Sequence, residues 1–143
     1  MPVYQPTQDE TAWILINESK RNNEVVMLTE AQLDQVLQEV VTILRTHYEP
    51  DEVILFGSYA YGRPHSDSDL DLFIVKDSSA RPVDRQILVR RLLRKINYQL
   101  PLTVIVMTPE ETKQRMAIGD QFINEILTKG KVLYARNRIP QPG

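Results

Sequence analysis

The sequence contains no cysteine and only two histidines, His47 and His65. The absence of cysteine excludes disulfides, a thiolate nucleophile and cysteine-ligated zinc, and two histidines do not favour a histidine-based zinc site. No apolar run approaches the roughly 18 residues that a membrane-spanning helix needs. Residues 1–10 also lack the cationic and apolar regions of a signal peptide. We therefore predict a cytoplasmic protein that does not associate with membranes.

The chain also lacks an excess of charge of either sign. Its 17 basic and 19 acidic residues give a net charge of −2. Nonspecific binding to nucleic acid or to an anionic membrane needs a strong basic excess, so the composition does not favour either as the main role. A local basic stripe on one predicted helix is interpreted as a solvated face, or alternatively as a surface for an acidic partner or RNA. It comprises Arg85, Arg90, Arg91, Arg94 and Lys95.

At 143 residues, 42% of them hydrophobic, the chain has the size of one domain with its own core. Strands alternate with helices in the pattern of apolar residues, which predicts an α/β or α+β fold with a small mixed sheet flanked by helices. Residues 1–28 are predicted to be an N-terminal extension with two possible short strands at 13–16 and 25–28. Residues 29–136 form the predicted main domain, and residues 137–143 a loose tail.

Within the main domain, apolar spacing and capping signals predict four strands and the helices between them. Thr29 and Thr108 are both predicted to cap helices, and Gly130 to end one. The predicted helices span about 30–47, 83–100 and 109–129, the last weakening at residues 119–120. The predicted strands span 52–56, 69–75, 102–107 and 132–134.

The stretch that carries chemistry is residues 57–71, GSYAYGRPHSDSDLD. Gly57 and Ser58 follow a strand and open a turn, predicted to be helical. There, a glycine permits close approach of a ligand, and N–H and hydroxyl groups can donate to a phosphate. On its own this signal is weak, because many such turns carry glycine and serine for packing and capping. Arg63, after Gly62, is a further candidate for contact with a triphosphate.

Asp69 and Asp71 are two residues apart at the start of a strand. Alternating side chains place both carboxylates on one side, and Leu70 on the other. Neighbouring carboxylates repel unless a cation lies between them, and Mg²⁺ uses such a pair together with waters and phosphates. An isolated Asp-X-Asp would more often be an acidic turn, with Asp67 as a third exposed charge. The combination with the Gly57-Ser58 turn is what favours attack at a nucleotide's α-phosphate.

Gly57-Ser58, ten intervening residues and Asp69-Leu70-Asp71 resemble the DNA polymerase β-like nucleotidyltransferases, and most of all their minimal (MNT) branch. The similarity extends over about residues 29–136. It includes Gly62, the pair Ser68-Asp69, the segment TPEE at 108–111 and the segment ILTKGKVLY at 126–134.

The resemblance implies that Gly57 and Ser58 hold the β- and γ-phosphates and that Asp69 and Asp71 ligate one or two Mg²⁺ ions. It further implies transfer of AMP from ATP. MNT proteins of this size resemble the antitoxins paired with all-helical HEPN toxins, so the expected acceptor is a tyrosine hydroxyl on such a partner.

One position departs from the family pattern. Members usually carry a third acidic residue on the next strand, where this chain has Thr103. Threonine cannot act as an anionic ligand or base, so three interpretations remain. Another acid substitutes, catalysis is slow with two carboxylates, or the chain is a non-catalytic module that neutralises a partner by binding. A weaker alternative is a small-molecule (antibiotic-type) nucleotidyltransferase, although those generally need an added substrate domain.

Overall fold

The computed structural model describes residues 28–65 and 67–136. The short strands predicted at 13–16 and 25–28 lie outside this part, except for Leu28, which is buried and not in a strand. The predicted tail at 137–143 also lies outside it. Among residues 28–65 and 67–136, none of the helices combines the length and the hydropathy that a membrane span requires.

The described residues form a four-stranded mixed sheet in the order β3-β2-β1-β4. β1 is antiparallel to both of its neighbours, while β2 and β3 run parallel. This confirms the predicted α+β class, the mixed sheet and the edge position of the last strand. The strands are β1 (Glu52–Phe56), β2 (Leu70–Val75), β3 (Leu102–Met107) and β4 (Lys131–Ala135).

Five helices flank this sheet in the described residues. Capping boxes begin two of them: Thr29 and Thr108 each accept a hydrogen bond from the N–H three residues on, and Gln32 and Glu111 bond back. Both predicted caps are therefore confirmed. The helices are α1 (Glu30–His47), α2 (Pro82–Leu92), α3 (Arg94–Gln99), α4 (Pro109–Ala117) and α5 (Gln121–Lys129).

The single helix predicted over 83–100 is wrong, because the chain breaks at Leu93 into α2 and α3. Val89, Leu93 and Ile96 are all fully buried. Their spacing of four and three residues continues the helical period across the break, so apolar periodicity alone cannot detect it.

The two faces of the sheet carry separate apolar clusters. Side chains of β2 alternate: Leu70, Leu72 and Ile74 pack with α1, α2 and α3, whereas Phe73 and Val75 pack with Ile123 and Ile126 of α5. Asp71 lies between Leu70 and Leu72, so its side chain shares the α5 face with Phe73. The alternation predicted at the start of this strand is confirmed.

Arg85 was predicted on the exposed basic stripe, and this is wrong: it is only 2% exposed. It lies one turn before the buried Val89, on the helix face that packs inward, while Ile87 is 47% exposed. Its guanidinium meets the Glu111 carboxylate in a two-point contact, Nη1 to Oε1 at 2.8 Å and Nη2 to Oε2 at 3.0 Å. This pair holds α2 against the first turn of α4.

The contact with Arg85, followed by the backbone hydrogen bond at Thr108, lowers the pKa of Glu111 from 4.5 to about 2. A carboxyl whose pKa is lower in the folded state stabilises the fold above its unfolded-state pKa. That stabilisation is lost as the pH falls towards 2.

We expect Glu111→Gln to flatten the dependence of unfolding free energy on pH between about 5 and 2, because the neutral amide has no proton to gain. Denaturant unfolding at several pH values measures this slope. Glu110→Gln is the matched control, because Glu110 is the exposed neighbour of Glu111. Equal slopes for the two variants would contradict the assignment.

Candidate active site

Gly57 directly follows β1 and adopts a left-handed backbone with φ of 74°. Hydrogen bonds close the turn behind it: the N–H groups of Ala60 and Tyr61 donate to the Gly57 carbonyl, each at 3.0 Å, and that of Arg63 donates to the Ser58 carbonyl at 2.9 Å. The bond from Tyr61 to Gly57 has the four-residue spacing of one helical turn, as predicted, but the turn does not extend into a helix. Any phosphate contact here therefore depends on the N–H groups of a turn, without a helix behind them.

Asp71 lies in β2 directly between two strands, opposite Phe56 of β1 and Thr103 of β3. A β-carbon built on Gly57 would collide with Oδ2 of Asp71. The carboxylate thus fills the space that the missing side chain of Gly57 leaves open. The sheet therefore brings the glycine of the turn and the second aspartate of the Asp-X-Asp pair into direct contact.

Asp69 lies just before β2, so the predicted strand begins one residue later than expected. The Thr103 hydroxyl donates a hydrogen bond to Oδ2 of Asp69 at 3.2 Å. The pKa of Asp71 is raised: burial raises it, the neighbouring Thr103 hydroxyl lowers it, and the charge of Asp69 raises it again. Thr103 therefore lies beside both carboxylates, which repel each other, and its single hydroxyl hydrogen is donated to Asp69.

Ser58 is half-buried and directly follows Gly57 in the turn. The Asp71 carboxylate lies against Gly57, so Ser58 is one residue away from that contact. The Arg63 side chain is exposed, and only its backbone contributes a hydrogen bond to the turn. The structure thus brings together four of the five predicted site residues, Gly57, Ser58, Asp69 and Asp71. The catalytic and binding roles of these four residues, like that of Arg63, remain predictions.

The aromatic residues around the turn separate into two kinds. Tyr59 is buried, and burial raises its pKa more than a backbone hydrogen bond with Leu28 lowers it. Because Tyr59 and Tyr61 flank the Gly57-Ser58 turn, the sequence predicts partly exposed packing for both or, alternatively, stacking on a base. For Tyr59 the predicted exposure is wrong, and its ring is closed to stacking. Tyr61 is 38% exposed, as partly exposed packing predicted. His65 is an exposed loop residue whose Nδ1 accepts from the Asp67 N–H at 3.2 Å.

The donor set at this site fits Mg²⁺. Asp69 and Asp71 offer carboxylate oxygens and Thr103 a hydroxyl, all of them hard ligands, and Mg²⁺ completes its shell with waters and phosphates. In the described part of the chain, no group of three or more histidine or acidic side chains could hold a metal. A cation here would rely on two carboxylates.

Phe122, which sequence reasoning assigned to the apolar stripe of its helix, lies close to this site. Its ring contacts that of Phe56 edge to face, with centroids 5.8 Å apart and planes at 82°. Phe56 is itself the strand partner of Asp71. The helical spacing of the sequence contained no signal for this position, because the contact depends on how α5 crosses β1.

Comparison with known proteins gives consistent matches. The model of the nucleotidyltransferase domain family matches residues 37–134. Two candidate protein adenylyltransferases of Methanocaldococcus jannaschii are similar: one is 33% identical over 71% of this chain and 97% of its own length, the other 27% over 77% of each. A candidate nucleotidyltransferase structure from Sulfolobus solfataricus shares the fold, with a TM-score of 0.53, 18% identity and coverage of 92% and 95% of the two chains.

The contact between Gly57 and Asp71 can be tested with two alanine substitutions. Gly57 and Gly62 share a φ of 74°, but a β-carbon on Gly62 would meet nothing within 4 Å. Both variants carry the left-handed cost of about 1–2 kcal/mol. We expect Gly57→Ala to lose a further 1–3 kcal/mol or so, because it also displaces the carboxylate.

Denaturant unfolding gives the two stabilities, and calorimetric titration gives the affinity for Mg²⁺. Only Gly57→Ala should weaken Mg²⁺ binding. If Gly62→Ala has the same effects, backbone strain alone accounts for them.

Proposed function

The chain belongs to the nucleotidyltransferase domain family, and on this premise we propose that it transfers AMP from ATP to a hydroxyl group of a partner protein. The observation that supports this best is the meeting of two carboxylates, Asp69 and Asp71, with the Gly57-Ser58 turn. The names of the two archaeal relatives support AMP as the transferred group and a protein as its acceptor.

In this proposal, the turn binds the far end of the triphosphate. The N–H groups after Gly57 and the Ser58 hydroxyl donate hydrogen bonds to the β- and γ-phosphate oxygens. Because Gly57 has no side chain, the backbone can approach the phosphates closely on one side while Asp71 packs on the other. Arg63, exposed at the end of the turn, adds positive charge near the triphosphate.

The two carboxylates would hold Mg²⁺, which offsets the charge of the triphosphate and assists the departure of pyrophosphate when bound. The acceptor oxygen attacks the α-phosphorus, and the bond between this phosphorus and the oxygen that bridges to the β-phosphate breaks, which releases pyrophosphate. The acceptor proton leaves to solvent. Asp69 and Asp71 lie close enough for their charges to interact, and a hydrogen bond from the Thr103 hydroxyl orients Asp69. Preorganised charge of this kind is a large contribution to catalysis.

Thr103 limits the rate in this proposal. It lies opposite Asp71 in the parallel pair of strands, at the position that the resemblance assigns to the family's third acid. Threonine orients its neighbours by hydrogen bonding, but it neither adds negative charge nor accepts the acceptor's proton. We therefore propose slow transfer, driven by positioning and by two carboxylates.

For the partner, we propose an all-helical HEPN toxin that is modified on a tyrosine hydroxyl, which would make this chain an antitoxin. The support is the resemblance of residues 29–136 to the MNT antitoxins. A second candidate function is a non-catalytic module that neutralises the same partner by binding. The specific observation in its favour is Thr103 in place of an acid.

Incubation of the chain with α-labelled ATP, Mg²⁺ and the product of the neighbouring gene tests the transfer. We expect label on the partner protein and at least a hundredfold less with Asp69→Asn or Asp71→Asn, because loss of a charged metal ligand costs about 3 kcal/mol or more. Mass spectrometry identifies the modified residue. A stable complex with no label would support the binding module instead.

Substitutions at Thr103 separate its two roles. Thr103→Asp adds the missing carboxylate beside Asp71 and is expected to increase Mg²⁺ affinity and transfer rate. Thr103→Val keeps the shape, removes the hydroxyl and is expected to slow transfer by about tenfold, the equivalent of one hydrogen bond to a charged group. Unchanged rates in both variants would show that position 103 takes no part in the reaction.

A further inference from the structure

Phe122 is a large apolar side chain that lies outside the buried core, although its ring contacts the buried Phe56. It lies in the first turn of α5, where the next residue, Ile123, is 2% exposed and Ile126 is 1% exposed. These two isoleucines attach the helix to the sheet. Phe122 is 51% exposed, so about half of its surface faces outward.

The position of this ring relative to the two carboxylates follows from the sheet. Phe56 and Asp71 are directly opposite each other on antiparallel strands, so their side chains share one face, with β-carbons about 5 Å apart. The ring of Phe122 lies 5.8 Å from that of Phe56, centroid to centroid. Asp71 and Phe122 are therefore both neighbours of Phe56, Asp71 across the strand pair and Phe122 through its ring.

In the proposed binding mode, the base of a nucleoside triphosphate would lie near these side chains. Its phosphates would bind at the Gly57-Ser58 turn and the carboxylates, and a single sugar separates the α-phosphate from the base. Aromatic side chains stack on any of the bases, because every base has a π-face. The surface of Phe122 that faces outward is suited to that contact.

Other exposed aromatic residues in the described segments are placed less favourably. Tyr98 belongs to α3, which covers the opposite face of the sheet. Tyr61 lies within the turn that would hold the phosphates. It is therefore nearer to the end of the triphosphate that is remote from the base.

We infer that the ring of Phe122 is the stacking surface for the nucleobase of the donor nucleotide; this inference rests on the proposed nucleotidyl transfer at Asp69 and Asp71. Stacking distinguishes bases poorly, since it involves no hydrogen bonds to their edges. Phe122 therefore contributes affinity for ATP and GTP alike, and it contributes nothing to the binding of a triphosphate that has no nucleoside.

Dissociation constants for ATP, GTP and inorganic tripolyphosphate, measured by calorimetry with Mg²⁺ on the full chain, test this inference. We expect Phe122→Ala to weaken ATP and GTP binding by about tenfold, as for the loss of one aromatic stacking contact, and to leave tripolyphosphate unchanged. Phe122→Tyr keeps a ring and should bind like the parent chain. Ile118→Ala is the matched control, because Ile118 is an exposed apolar residue just after α4.

Phe122→Leu is the variant to use if the alanine variant fails to fold, since leucine keeps an apolar contact with Phe56 but has no ring. We expect the same loss of ATP affinity, about tenfold. Parental ATP affinity in the leucine and alanine variants would overturn the inference, as would an equal loss for tripolyphosphate. A base-dependent loss in Tyr61→Ala instead would also overturn it. Failure of the parent chain to bind ATP or tripolyphosphate would overturn the proposed function itself.

Discussion

The packing of the Asp71 carboxylate against Gly57 is the contact on which the rest of the site depends. It requires a residue without a side chain, a left-handed backbone just after β1, and the antiparallel register that sets Phe56 opposite Asp71. A shift of this register by one residue would turn Asp71 to the other face of the sheet. The apolar residues that fix the register are therefore also what positions the chemistry.

The third strand adds a group that the first two cannot supply. β3 runs parallel to β2, so the chain must cross over through α2 and α3 before Thr103 can lie beside Asp71. The hydroxyl then bonds to Asp69, and it favours the ionised form of Asp71 against burial and repulsion. A threonine here adds a polar neighbour to two like charges without adding a third, whereas a third carboxylate would increase both the repulsion and the attraction for a cation.

The Arg85–Glu111 ion pair stabilises a buried charge away from the site. The guanidinium is nearly fully buried and contacts the carboxylate at two points, and this contact strongly lowers the pKa of Glu111. Removing one partner would leave a buried charge without compensation, which costs more than an intact pair contributes. The pair joins α2 to α4, and α4 is followed by α5, which carries Phe122.

The sequence by itself determined the class of fold, the four strands and both capping boxes, because periods of two and 3.6 residues and capping preferences are local properties. It also singled out Gly57, Ser58, Asp69 and Asp71 as candidate site residues, because their spacing lies within one short segment. Tertiary structure decided the rest. The helical spacing of the buried residues continues across the break at Leu93, so it does not reveal the break. The burial of Arg85 depends on a glutamate 26 residues away, and the position of Phe122 depends on how α5 crosses β1. Such contacts join residues that are distant in the chain, and local patterns carry no information about which of them will meet.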